Sequence, residues 1–230
     1  MTNEEVRTGY QGSGPLNSEQ RKQFIQTVHR RLKKRFGPVH CPLHYTKPHE
    51  LCIAVILSAQ CTDEMVNRTT PALFQALPEL EDYARAPLSK IEKLIHSTGF
   101  YKNKSKNIKG FAQKLLSDHE GQIPRDLASL TALPGVGRKT ANVVLQELYN
   151  IPSGVVVDTH VARISGLFQL TRSKNPVIIE RDLMEVLPKK YWIDWSLYMI
   201  FLGRSTCTAK KRFCSDCNLK DICPASEHRT

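Results

Sequence analysis

Apolar residues recur along this chain at helical rather than strand spacing. Phe24, Val28, Leu32 and Phe36 fall at every fourth position and mark one apolar face of a helix. That helix starts at Asn17 or Ser18, where a polar side chain is available as a cap, and stops at Gly37-Pro38. Beyond a loop through Pro48, the same spacing predicts helices over 49–59, 63–77, 88–97, 103–118, 126–131, 138–149, 159–169, 176–186 and 191–204. Pro71 falls inside the 63–77 helix and strains it. No run alternates long enough for a half-buried strand, and the β-rich Val155-Val156-Val157 is only three residues. The pattern predicts an all-α chain of many short helices with short connections.

Composition narrows the picture. A chain of 230 residues with 40% hydrophobic residues can bury a core without disulfide staples. Its longest uncharged apolar stretch, 51–59, is about half the ~20 residues that span a bilayer, so no transmembrane helix is expected, and no membrane is expected as a partner. The polar start, without an apolar h-region, argues against a secretory signal, and 1–17 reads as a flexible tail. The expected location is the cytoplasm, in association with the bacterial nucleoid. A net charge of +11 points to a polyanionic partner, nucleic acid before an acidic membrane, because no basic amphipathic helix of convincing length supports the latter. The run Arg30, Arg31, Lys33, Lys34 and Arg35 reads first as a solvated helix face, with a DNA-facing role as the alternative.

Seven cysteines divide into two groups. Cys41, Cys52 and Cys61 are scattered and read as small, partly buried thiols. Cys207, Cys214, Cys217 and Cys223 crowd the C-terminal end with spacing C-x6-C-x2-C-x5-C. Four thiolates on a short turn-rich segment suit a soft metal site, either zinc or an iron–sulfur cluster. Only Cys214 and Cys217 form a C-x2-C pair, and the wide first gap favours the bulkier [4Fe–4S] cluster over zinc.

The most informative stretch runs from Asp126 to Asn142. A short helix carrying Leu127 and Leu130 leads into the turn Leu133-Pro134-Gly135-Val136-Gly137, and a second helix opens at Arg138. The glycines permit a close backbone approach, and the amides of the turn and helix start form a nest for an anion, here a DNA phosphate. Lys139 stands in the first turn of that second helix. The helix dipole, the neighbouring Arg138 and any burial in a cleft all favour a neutral, nucleophilic amine over an ammonium, with simple phosphate binding as the alternative. Asp158 in VVVDTH follows a buried-looking run and precedes a helix, so locally it reads as an N-cap. Pairing with Lys139 is what would make it chemical.

Taken together, LSAQCTD at 57–63, TGFYKNKS at 98–105, LPGVGRKTANVVL at 133–145, VDTH at 157–160 and the four terminal cysteines resemble the endonuclease III family. That family belongs to the helix-hairpin-helix–Gly/Pro/Asp DNA glycosylases, and the resemblance spans about 18–225. It implies a two-domain all-α fold. Residues 41–151 would form a six-helix barrel domain with the helix-hairpin-helix, and 18–40 plus 152–230 the iron–sulfur domain. Lys139 would attack the sugar, Asp158 would assist across a cleft, and the four cysteines would hold a [4Fe–4S] cluster. Gln60 and Phe100 match wedge positions that fill the gap left by a flipped nucleotide; Phe100 departs from the usual aliphatic residue. Leu133, Gly135, Val136, Gly137 and Arg138 would bind DNA through the hairpin, and Lys210, Lys211 and Arg212 through the cluster loop. Asp63 and His160 are further pocket candidates, with helix capping an equal reading for Asp63. The implied activity is a bifunctional DNA glycosylase and AP lyase acting, as a monomer, on double-stranded DNA with damaged pyrimidines or abasic sites. A monofunctional mismatch glycosylase and a non-enzymatic iron–sulfur DNA-binding protein are the rivals.

Overall fold

The structure is a computed structural model that describes residues 17–226; of the tail expected over 1–17, all but Asn17 lies outside them. Among the described residues there are eleven α-helices and three 3-10 turns, with no strand beyond one isolated bridge between Cys207 and Arg212. The helices are α1 (Ser18–Phe36), α2 (Pro48–Leu57), α3 (Asp63–Ala76), α4 (Leu80–Arg85), α5 (Leu88–Ile95) and α6 (Tyr101–His119). They continue with α7 (Leu127–Thr131), α8 (Arg138–Tyr149), α9 (Thr159–Leu167), α10 (Pro176–Val186) and α11 (Trp192–Ser205). No helix among the described residues is long and apolar enough to cross a membrane.

One difference from the sequence reading has a local cause. Helix α4 was not expected, because its six residues offer only Leu80 and Tyr83 as an apolar repeat. It forms because both side chains are buried and because Asp82 accepts from the Glu79 amide at 2.9 Å. Val155-Val156-Val157 builds no sheet; it is a connection whose first two side chains are buried. Helix α3 runs through Pro71, with Val66, Thr69, Thr70 and Leu73 buried on either side of the lost donor.

The described residues pack as two compact units, one of residues 41–153 and one of 17–40 with 154–226. In the first, every residue of α2 from Glu50 to Leu57 is buried, so this helix is apolar on all sides and encased. Around it the core takes Leu73, Tyr83, Ile91, Ile95, Phe111 and Val144, among others. In the second, α1 supplies Phe24, Ile25, Val28 and Leu32 to a core shared with α9, α10 and α11. Phe24, Val28 and Leu32 are three of the four residues that the apolar stripe identified; Phe36 is half-buried. His29 ties α1 to α11 through Asp194 at 2.9 Å and stacks on Tyr191.

Candidate nucleic-acid interface and metal centre

Helices α7 and α8 form a hairpin. Asp126 caps α7 by accepting from the Ser129 amide at 2.8 Å, whereas α8 starts from Gly137 with no capping side chain. The first-turn amides of a helix have no intrahelical partner, so this bare start suits an anion. Leu133 and Val136 are buried, so their side chains hold the turn from inside and only their backbone is available to a phosphate. Gly135, Gly137, Arg138 and Lys139 are exposed. Lys139 is thus not buried; it stands in the first turn of α8 beside Arg138.

Two glycines let this turn form. Gly135 has φ +77°, and a Cβ there would meet the Asn107 Cβ of α6 at 2.8 Å. Gly110 lies against Pro134, where a Cβ would come to 3.2 Å. Gly135→Ala is therefore expected to cost about 1–3 kcal/mol from backbone strain alone, with the clash adding to it. Urea unfolding would show this as a lower midpoint with an unchanged slope.

Asp158 is the N-cap of α9, its Oδ1 accepting from the Val161 amide at 2.8 Å, and it is half-buried. His160, two residues on, packs on Gly203 of α11 so closely that a Cβ there would lie 2.4 Å from Nδ1. Burial lowers the His160 pKa and Asp158 opposes this. Asp63 does not cap α3; Thr62 does, by accepting from the Met65 amide at 3.2 Å, and Asp63 occupies the first helical position.

Gln60 and Phe100 share an unusual backbone. Both are non-glycine residues in the left-handed region, at φ +52° and +48°, and both are exposed. Phe100 is 64% exposed, so its ring is not part of the core. An apolar ring held in water on a left-handed residue is costly in two ways.

The four terminal cysteines converge. Cys207, Cys214, Cys217 and Cys223 line one pocket, together with apolar neighbours such as Leu202 and Leu219. Burial pushes the Cys223 thiol up to about 11 and raises Cys217 as well, with the other cysteines adding to the effect. Among the described residues no three metal-binding side chains close on a point as a single ion requires. Four thiol side chains on one pocket are a donor set of the kind that holds a soft metal or a metal–sulfur group.

The loop carrying them is held to its own unit by arginines. Arg31 pairs with both carboxylate oxygens of Asp221 and donates to the Asn218 carbonyl. Arg35 donates to Thr206 Oγ1 at 2.6 Å, and Arg163 of α9 donates to the Cys207 carbonyl at 2.7 Å and faces its Sγ at 3.7 Å. Arg31 and Arg35 are thus structural, while Arg30, Lys33 and Lys34 stay on the exposed face. Lys210, Lys211 and Arg212 are exposed on the turn after Cys207, with Lys211 lying over the Phe213 ring. Nothing in the sequence pattern singles out Arg163, since its role depends on a contact 44 positions away.

An all-α fold with a glycine-bearing helical hairpin and a terminal four-cysteine pocket defines a class of DNA repair glycosylases, and residues 53–189 match the family model described as "HhH-GPD superfamily base excision DNA repair protein". The chain is 47% identical to endonuclease III of Synechocystis over 196 residues, covering 85% of this chain and 90% of that one. It is 42% identical to endonuclease III of Bacillus subtilis, covering 84% and 89%. A solved trapped endonuclease III–DNA covalent intermediate superposes with TM-score 0.83 at 41% identity, covering 89% of this chain and 96% of that chain. The chain belongs to the HhH-GPD superfamily and, within it, to the endonuclease III family. It is an enzyme of the DNA glycosylase class.

Proposed function

We propose that the chain is a bifunctional DNA glycosylase and AP lyase that removes oxidised or reduced pyrimidines, such as thymine glycol, from double-stranded DNA. It then cleaves 3′ to the abasic site. The observation that carries this reading is Lys139: an exposed amine on the first turn of a hairpin helix whose start is bare for a backbone phosphate. A phosphate gripped there would set the adjacent sugar within reach of the amine.

The neutral amine of Lys139 attacks C1′, and the base leaves with the bonding electron pair and takes up a proton. The Asp158 carboxylate offsets the positive charge that develops on the sugar. Ring opening gives a protonated imine, which makes the C2′ proton acidic. Loss of that proton breaks the C3′–O bond and releases the downstream strand with its 5′ phosphate; water then hydrolyses the imine and frees Lys139. Gln60 and Phe100 fill the space left by the flipped nucleotide, and Lys210, Lys211 and Arg212 hold phosphates. The pocket of Cys207, Cys214, Cys217 and Cys223 holds a [4Fe–4S] cluster that cross-links the loop and takes no part in base removal. The enzyme works as a monomer. Lys139 is also the reason to set aside the monofunctional reading, which needs no amine.

Borohydride trapping on duplexes carrying thymine glycol, an abasic site or undamaged thymine tests this. A covalent adduct with both damaged duplexes and none with the undamaged one is the expected result. An adduct at the abasic site alone would leave a lyase without the assigned base specificity, and no adduct at all would overturn the imine route.

A further inference from the structure

One buried charge has no part in the chemistry above. Lys104 of α6 is 4% exposed, amid a run, YKNKSKN, whose other two lysines are exposed. It falls on the apolar stripe of its helix with Ile108, Phe111, Ala112 and Leu115. Its Nζ donates to two backbone carbonyls, those of Leu57 and Thr98, both at 2.8 Å. Leu57 is the last residue of α2, and Thr98 is the last of the 3-10 turn after α5. Helix-end carbonyls lack intrahelical donors and carry the negative end of the dipole, which is why an ammonium is tolerated there without a carboxylate. Burial lowers the Lys104 pKa and neighbouring Cys61 opposes it.

The two carbonyls lie just before two of the residues with left-handed backbone, Gln60 and Phe100. Gln60 follows Leu57 by three positions, and Phe100 follows Thr98 by two. Local hydrogen bonds close both turns: the Cys61 amide donates to the Ser58 carbonyl at 3.1 Å, and the Gly99 amide to the His96 carbonyl at 3.4 Å. We propose that Lys104 is a positioning residue for strand intrusion: by bridging the carbonyls of Leu57 and Thr98, it locks the Gln60 and Phe100 loops at one spacing, so that both side chains enter the duplex as a preset pair. This rests on the reading of Gln60 and Phe100 as wedges and names what holds them. Preset geometry matters because a misplacement of about 1 Å costs as much as a hundredfold in rate.

The test is Lys104→Met, which keeps the length of the side chain and removes its donors. Cleavage is measured on an abasic site in duplex DNA and on the same site in a single strand, where no partner stack has to be opened. The variant is expected to lose about tenfold to a hundredfold on the duplex and to stay within about twofold on the single strand. In a Gln60→Ala/Phe100→Ala background the same substitution should add little, since the loops it positions carry no wedges. Equal loss on both substrates, or full additional loss in that background, would overturn the proposal. If the methionine variant fails to fold, Lys104→Arg keeps the charge but alters its reach. Its duplex-to-single-strand ratio should fall, and an unchanged ratio would sink the idea. Affinity for a duplex with a tetrahydrofuran abasic analogue, measured alongside, reports intrusion without chemistry. A wild-type chain inactive on both substrates would fail the functional reading, while the affinity cycle would still decide the role of Lys104.

Discussion

Lys139→Gln is expected to abolish strand cleavage and borohydride trapping, with the rate falling by about a thousandfold or more, while binding to a duplex persists. The fold gives no reason for this variant to fail by unfolding. Lys139 is exposed, and helix α8 is anchored by Ala141, Val144 and Leu145, which are buried in the core of residues 41–153. The anion nest is backbone and survives the substitution. A companion variant separates Asp158 as cap from Asp158 as charge. Asn caps a helix about as well as Asp, so Asp158→Asn should keep the hydrogen bond to the Val161 amide and leave stability within a few tenths of a kcal/mol. A large fall in base excision with unchanged thermal stability would then locate the loss in the carboxylate charge. Wild-type cleavage by Lys139→Gln would remove the amine from the mechanism, and a parallel loss of stability and activity in Asp158→Asn would return that residue to a capping role.

Cys223→Ala should empty the terminal metal site and loosen the segment that carries it. Between Cys207 and Cys223 the backbone has one isolated bridge and a single 3-10 turn, and its buried apolar anchor is Leu219. So little regular structure contributes little stability, and ligation would then be the folding free energy of the loop. The iron content should fall from about four per chain, the visible absorption of the cluster should disappear, and the loop with Lys210, Lys211 and Arg212 should become protease-sensitive. Arg31 and Asp221 would still tether one end. The control is built into the chain. Cys52 is fully buried, with its thiol pushed up to about 12 by burial, and Cys41 reaches about 11 for the same reason. Cys41→Ala and Cys52→Ala should keep full iron. Loss of iron in those variants, or full iron in Cys223→Ala, would contradict the assignment.

Local signals account for much of what the sequence revealed. The ranges 138–149 and 176–186 that the pattern predicts match α8 (Arg138–Tyr149) and α10 (Pro176–Val186), because the turn residues before each helix and its apolar repeat agree within one segment. The resemblance to the endonuclease III family rested on short strings whose residues are neighbours in the chain, and such strings need no folding to be recognised. Helix α4 escaped because six residues are too few to show a period, and what stabilises it is the burial of Leu80 and Tyr83 by other helices.

The sites divide the same way. Residue type and spacing marked Lys139 and the four terminal cysteines as candidates, whereas Asp158 reads locally as an N-cap and became a catalytic candidate only through the family resemblance. The sequence could not tell that Leu133 and Val136 turn inward while Gly135 and Gly137 stay exposed, nor that Thr62 rather than Asp63 caps α3. Nor could it separate Lys104 from Lys102 and Lys106 in one basic run. Which of three lysines is buried depends on where Leu57 and Thr98 come to lie, 47 and 6 positions away. Composition and periodicity set the helices and the chemistry they carry, because those are properties of adjacent residues. Burial and strain were decided only by tertiary packing, because a side chain's solvent is made by residues distant in the chain.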